Sequence, residues 1–167
     1  MAFSQPSKLE CGNTAILAPT NGITVMCWIK TKQVVPAHYL ASVLRHDGHF
    51  TALQLSPDGT AHASIWRGDT MSMAVFPWRG VWDDNAWHHY AVTYDRLDGP
   101  RIYKDGKPFA QPQGVTGALP SSISTPFMMG AAESNNEYFA GSLDEVRVYD
   151  HPLSATEISV LAAVPVR

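Results

Sequence analysis

The sequence predicts an all-β fold, a sandwich of antiparallel sheets with one short C-terminal helix, on three observations. Short runs alternate apolar and polar residues at the two-residue period of a strand. Turn-forming residues separate these runs at the spacing of a sandwich. Twelve Gly and twelve Pro in 167 residues exceed what a helical bundle carries and suit a chain with many reversals.

Alternation is clearest in ITVMCWIK, where Ile23, Val25, Cys27 and Ile29 share one face and Thr24, Met26, Trp28 and Lys30 the other. Such a strand is covered on one face and partly on the second. Similar runs follow at residues 38–44, 50–56, 60–66, 71–78, 87–95, 101–105, 127–132 and 139–150. Between them His46-Asp47-Gly48-His49, Pro57-Asp58-Gly59, Arg67-Gly68-Asp69 and Lys104-Asp105-Gly106-Lys107 read as hairpin tips, with Gly supplying the positive φ of a tight turn. If successive hairpins alternate ends, 46–49, 67–70 and 95–100 share one end and 57–59, 78–86 and 104–107 the other. Ser154-Ala155-Thr156-Glu157 is a capping box ahead of Ile158, Val160 and Leu161, so a helix closes the chain. With no repeat, linker or low-complexity tract, residues 1–167 are expected to form one domain.

Composition excludes several classes. Lys+Arg 12 against Asp+Glu 15 gives a net charge of -3, which offers nothing to a polyanion, so no nucleic-acid partner is expected. Hydrophobic residues at 45% and charged residues at 16% place the chain far from disorder. The longest uncharged run, 108–132, carries Pro108, Pro112, Pro120 and Pro126, which a membrane span does not tolerate. Cys11 and Cys27 allow one bridge at most and form no CxxC pair, so neither a disulfide framework nor a zinc site is indicated. The opening MAFSQPSKLE lacks the basic-then-apolar pattern of a secretory signal.

Catalytic patterns are absent. Glu133 with Glu137, and the adjacent Asp83-Asp84, are the nearest carboxylate pairs, and neither has strand spacing that fixes an acid against a nucleophile. His88 and His89 are neighbours on one strand and face opposite ways, one packed and one exposed; His46 and His49 bracket a turn and read as a solvated hairpin. Arg67-Gly68-Asp69 is a receptor-read tripeptide whose simplest role is the turn itself. The glycines never form a phosphate-binding loop. Aromatic surface remains. Trp28 and Trp87 lie in regular strand patterns as core or half-core residues. Trp66, Trp78 and Trp82 stand at a strand end or in the PWRGVWDDNAW loop beside Arg67, Arg79, Asp83 and Asp84. An indole face stacks on the C–H face of a sugar while charged groups meet its hydroxyls, so these seven residues are the candidate ligand site. The competing reading is that the tryptophans cover the open end of the sandwich.

Three segments in this order, ITVMCWIK (23–30), WHHYAVTYDRLDGPRIYKDGK (87–107) and FAGSLDEVRVYDHPLSATEI (139–158), resemble the laminin-G-like branch of the concanavalin A-like lectin/glucanase superfamily. That resemblance implies a jelly roll of two curved antiparallel sheets, used to bind glycans or proteins, and often a structural calcium ion. In the calcium reading Asp144 supplies a hard oxygen, with Glu10 and Asn13 as partners. The alternative is that Asp144 points inward, away from Glu145, and accepts N–H bonds from the N-terminal strand. The expected function is a noncatalytic, lectin-like carbohydrate-binding module of a larger extracellular or secreted protein. The alternative is a protein–protein adhesion or assembly module, with a polysaccharide hydrolase or lyase third.

Overall fold

A computed structural model describes residues 1–3, 8–12, 21–32, 41–46, 50–67, 70–111, 116–119, 125–131 and 137–164. In chain order the strands are β1 (Ala2–Phe3), β2 (Leu9–Glu10), β3 (Gly22–Lys30), β4 (Ala41–His46), β5 (Phe50–Leu55), β6 (Thr60–Arg67), β7 (Thr70–Pro77), β8 (His88–Asp95), β9 (Gly99–Lys104), β10 (Lys107–Ala110), β11 (Phe127–Met129) and β12 (Gly141–Tyr149). Helix α1 (Ala155–Ala162) follows. Among the described residues two six-stranded antiparallel sheets form, ordered β1-β12-β3-β8-β9-β10 and β2-β11-β4-β5-β6-β7. The expected sandwich and closing helix are therefore present; the short strands β1, β2 and β10 are additions to the expected set.

Alternation in β3 places Val25, Cys27 and Ile29 in a core shared with Tyr90 and Val92 and, from the second sheet, Ala41, Leu53, Leu55 and Ala61. Cys27 is buried and Cys11 exposed, both as free thiols. The opposite face of β3 is buried too at Met26, where Leu153, just ahead of α1, and Ile158, on it, pack with Met26, Ala91 and Tyr103. The helix starts at its capping box: Ser154 Oγ accepts from Glu157 N, and Glu157 Oε2 accepts from Ser154 N at 2.8 Å. Between β9 and β10, Asp105 and Gly106 have φ of 50° and 75°, the left-handed pair of a two-residue type I′ hairpin.

The turns group as expected at one end. Trp78 N and Arg79 N both donate to Gly59 O at 2.9 Å, which ties the 78–86 loop to the 57–59 turn, and Asp105 reaches His88. In β12 the ladder steps from Asp144 opposite Trp28 to Arg147 opposite Met26, and Glu145 adopts φ 49°. This bulge breaks the strict alternation expected of GSLDEV.

Candidate functional site

The loop between β7 and β8 was the expected ligand surface, and its indoles are corrected by their burial. Trp78 is 3% and Trp82 0% exposed, and their rings stack at 5.4 Å and 5°. Trp82 also meets Tyr90, Phe109 and His88 edge to face, with the Lys104 ammonium 5.4 Å from its ring centroid. Among the described residues neither Nε1 has a hydrogen-bond partner. Burying about 200 Å² of indole contributes on the order of 5 kcal/mol, against about 1–3 kcal/mol lost for one unpaired donor. The apolar term wins, and the rings close the end of the sandwich instead of facing water.

The polar members of the loop hold its turns. Arg79 is exposed and donates to Pro57 O at 3.1 Å; Asp83 Oδ1 accepts from Gly80 N at 2.7 Å; Asp84 Oδ1 accepts from Ala86 N at 2.8 Å. That N–H, together with His88, holds the Asp84 carboxyl below its usual range. Trp66 pairs with Met71 and Arg67 with Thr70 in the β6–β7 ladder; their side chains, with Gly68 and Asp69, lie outside the described residues.

His88 and His89 do face opposite ways, but neither is freely exposed. The His88 ring lies between two carboxylates, Nε2 3.2 Å from Asp84 and Nδ1 3.1 Å from Asp105. His89 is 2% exposed, edge-on to Trp28 at 5.5 Å, with Nδ1 unpartnered among the described residues; burial lowers its pKa to about 4, Asp105 opposing this and Arg147 adding to it. His46 belongs to the interior, not to a solvated hairpin: Nε2–H donates to Thr125 O at 2.8 Å. His49 lies outside the described residues.

Of the three metal candidates, the two described ones, Asp144 and Glu10, lie on different sheets. Asp144, on β12 of the first sheet, accepts from Glu145 N at 2.9 Å, so its carboxylate turns back onto its own bulge and takes no N–H from β1. Glu10 lies on β2 of the other sheet, exposed and 2.8 Å from Lys8 Nζ, and Asn13 lies outside the described residues. Among the described residues no group of three His, Cys, Asp or Glu side chains is placed to hold a metal.

A different surface gathers functional groups. Ala41, Leu55, Ala61 and Phe76 form one cross-strand row on the core side of the second sheet, so the next row, Ser42, Gln54, His62 and Val75, lies on its outward face. Glu137 Oε2 accepts there from Ser42 Oγ at 2.7 Å, Gln54 Nε2 at 2.8 Å and Arg45 at 3.1 Å. Ser42 and Arg45 are three apart and would face opposite ways in a regular strand; the register shift at Leu44 brings both to one carboxylate. At the other end of the row His62 Nε2 and Ser56 Oγ are 2.7 Å apart, and burial lowers the His62 pKa, with Asp58 partly offsetting this. Ser42 and Gln54 are buried, Arg45 and His62 half-buried, and Val75 is 54% exposed.

The sequence singled out Glu137 only as half of an unsupported acid pair. The usable signal was the outward position of Ser42, Gln54 and His62 on three successive strands; the bulge that turns Arg45 toward them leaves no mark in the pattern.

Solved structures share the fold. The CBM40 of the Ruminococcus gnavus IT-sialidase superposes with TM-score 0.77 at 16% identity, covering 98% of this chain and 96% of that one. The botulinum neurotoxin serotype G binding domain gives 0.75 at 13%, and the binding domain of Paraclostridial Mosquitocidal Protein 1 gives 0.74 at 13%, covering 97% and 95% of this chain. This chain spans 41% of the length of each of those two. No curated protein matches the chain. A family model of laminin-G type, described as the concanavalin A-like lectin/glucanases superfamily, matches residues 5–159, and the chain belongs to that superfamily.

Proposed function

We propose that the protein is a noncatalytic glycan-recognition module, carried by a larger secreted protein, whose ligand lies on the outward face of β4–β7. The observation carrying this reading is the row Ser42, Gln54, His62 and Val75 with Glu137 and Arg45 set into it. It joins an exposed aliphatic side chain to a half-buried imidazole and a fixed hydrogen-bonding network, the combination that takes the C–H face and the hydroxyls of a sugar. Strands hold these groups in place before binding, so little ordering entropy is lost. Support comes also from the Ruminococcus gnavus module, which has been solved bound to α2,3-sialyllactose. A glycosidase would need a second carboxylate set against Glu137; Glu133 lies outside the described residues, and Glu10 lies two strands from Arg45 on the same ladder row and is engaged with Lys8.

The test is retention on a glycan array by the wild type, His62→Ala, Gln54→Leu and, as a control on the far side of the molecule, Val160→Ser. The expected result is binding to at least one glycan, reduced about tenfold or more in the two face variants and unchanged in the control. Equal retention by all four, or release of reducing ends from a bound polysaccharide, would reject it. Binding of a polypeptide is the second reading, since a neurotoxin binding domain of similar fold has been solved in complex with rat synaptotagmin II. Free sugar displaces the ligand only under the first.

A further inference from the structure

The outward face of β4–β7 also carries information about the charge of its ligand. Resting on the glycan reading above, we propose that this face selects uncharged sugars and discriminates against acidic ones such as sialylated or sulfated glycans. The cation best placed to meet a sugar carboxylate is Arg45, and it is already committed: its guanidinium lies 3.1 Å from Glu137 Oε2, with side chains only 21% and 12% exposed. Drawing Arg45 toward an incoming anion would weaken its ion pair with the part-buried Glu137 carboxylate, and that loss offsets what a partly exposed ion pair with the ligand returns.

The other groups along the row are uncharged at neutral pH. Ser42, Gln54, Ser56 and Val75 carry no charge, and His62 is held toward its neutral form by burial. The described ionic groups nearest the face balance one another. Lys8 is paired with Glu10 on the row that continues from Arg45 through Met128, and Arg79 and Asp58 share the turn beyond Ser56. A neutral imidazole offers one donor and one acceptor, so with Nε2 on Ser56 Oγ the Nδ1 atom addresses a hydroxyl in either tautomer. Val75 beside it supplies the apolar contact for a ring face. Hydroxyl recognition is thus available without a net attractive field.

Lactose and α2,3-sialyllactose differ by the acidic sugar alone, which makes them the probes, together with maltotriose and a sulfated lactose. Titration of the intact chain at low and high salt should show a neutral sugar bound, its affinity unchanged by salt, and neither sialylation nor sulfation strengthening binding. Val75→Arg, at an exposed position that leaves the core untouched, should then raise affinity for sialyllactose over lactose several-fold in a salt-sensitive way. Preference of the wild type for the acidic sugars, with loss at high salt, overturns the selectivity while leaving the glycan reading standing. Absence of binding to any glycan, by titration and on the array, overturns both. A Val75→Arg protein indistinguishable from wild type on every probe places the ligand elsewhere and overturns the assignment to this face.

Discussion

A histidine sealed against Trp28, with no partner for Nδ1 among the described residues, couples the stability of this fold to pH. His89 has a folded pKa of about 4, below the usual 6.5 because burial disfavours its charged form. Above pH 6.5 both folded and unfolded chains hold it neutral; as pH falls below that value the unfolded chain takes up the proton first, and stability declines until about pH 4. The loss is on the order of 2 kcal/mol once partial solvent access is allowed for. Asp84 and Glu157, lowered by the N–H of Ala86 and by Ser154 respectively, add their own losses at lower pH in the same direction. Urea unfolding at pH 7 and pH 4.5 should therefore show a lower midpoint in acid, and His89→Leu should flatten most of the dependence between them. At the other buried ring, Trp82→Ala should cost about 3–5 kcal/mol by the same measurement, while Trp82→Phe costs clearly less because it keeps an aromatic in the stack and removes an orphaned donor. Equal losses for the two would indicate that the indole nitrogen, not the ring area, holds the end closed.

Among the elements, the β9–β10 hairpin and α1 depend on each other through one glycine. Gly106 sits at φ 75°, and a Cβ there would lie 3.0 Å from Ala162 Cβ and 3.2 Å from Ser159 Cα on the helix. Gly106→Ala thus meets both backbone strain and the packed helix, and should lower stability by about 1–3 kcal/mol, with an earlier loss of amide protection in α1 than in β3. Both features were legible in the sequence: the Asp-Gly pair between alternating runs, and the Ser154 to Glu157 box, depend on near-neighbour chemistry. So was β3, whose two faces differ by simple alternation. What escaped depended on contacts distant along the chain. Trp78 and Trp82 sit among charged residues that suggest a wet loop, yet the turn at Gly59 folds them under. The phase of β4 is reset at Leu44, and Glu137 reaches Ser42 across 95 positions. In β12 the left-handed Glu145 turns Asp144 onto its own backbone, which neither its residue type nor its spacing announces.

At the scale of the whole molecule, strand order in space departs from order along the chain. β12 occupies the place between β1 and β3 in the first sheet, and β11 the place between β2 and β4 in the second. Each sheet thus leaves an interior slot that a late segment must fill. During synthesis the hairpins β4 to β7 and β8 to β10 can form as soon as they emerge, but the flank of β3 stays unsatisfied until residues 141–149 arrive. Such distant pairing slows the search for the native state and gives nascent chains an open sheet edge that neighbouring polypeptides can join. Any fragment ending ahead of Gly141 inherits that hazard permanently.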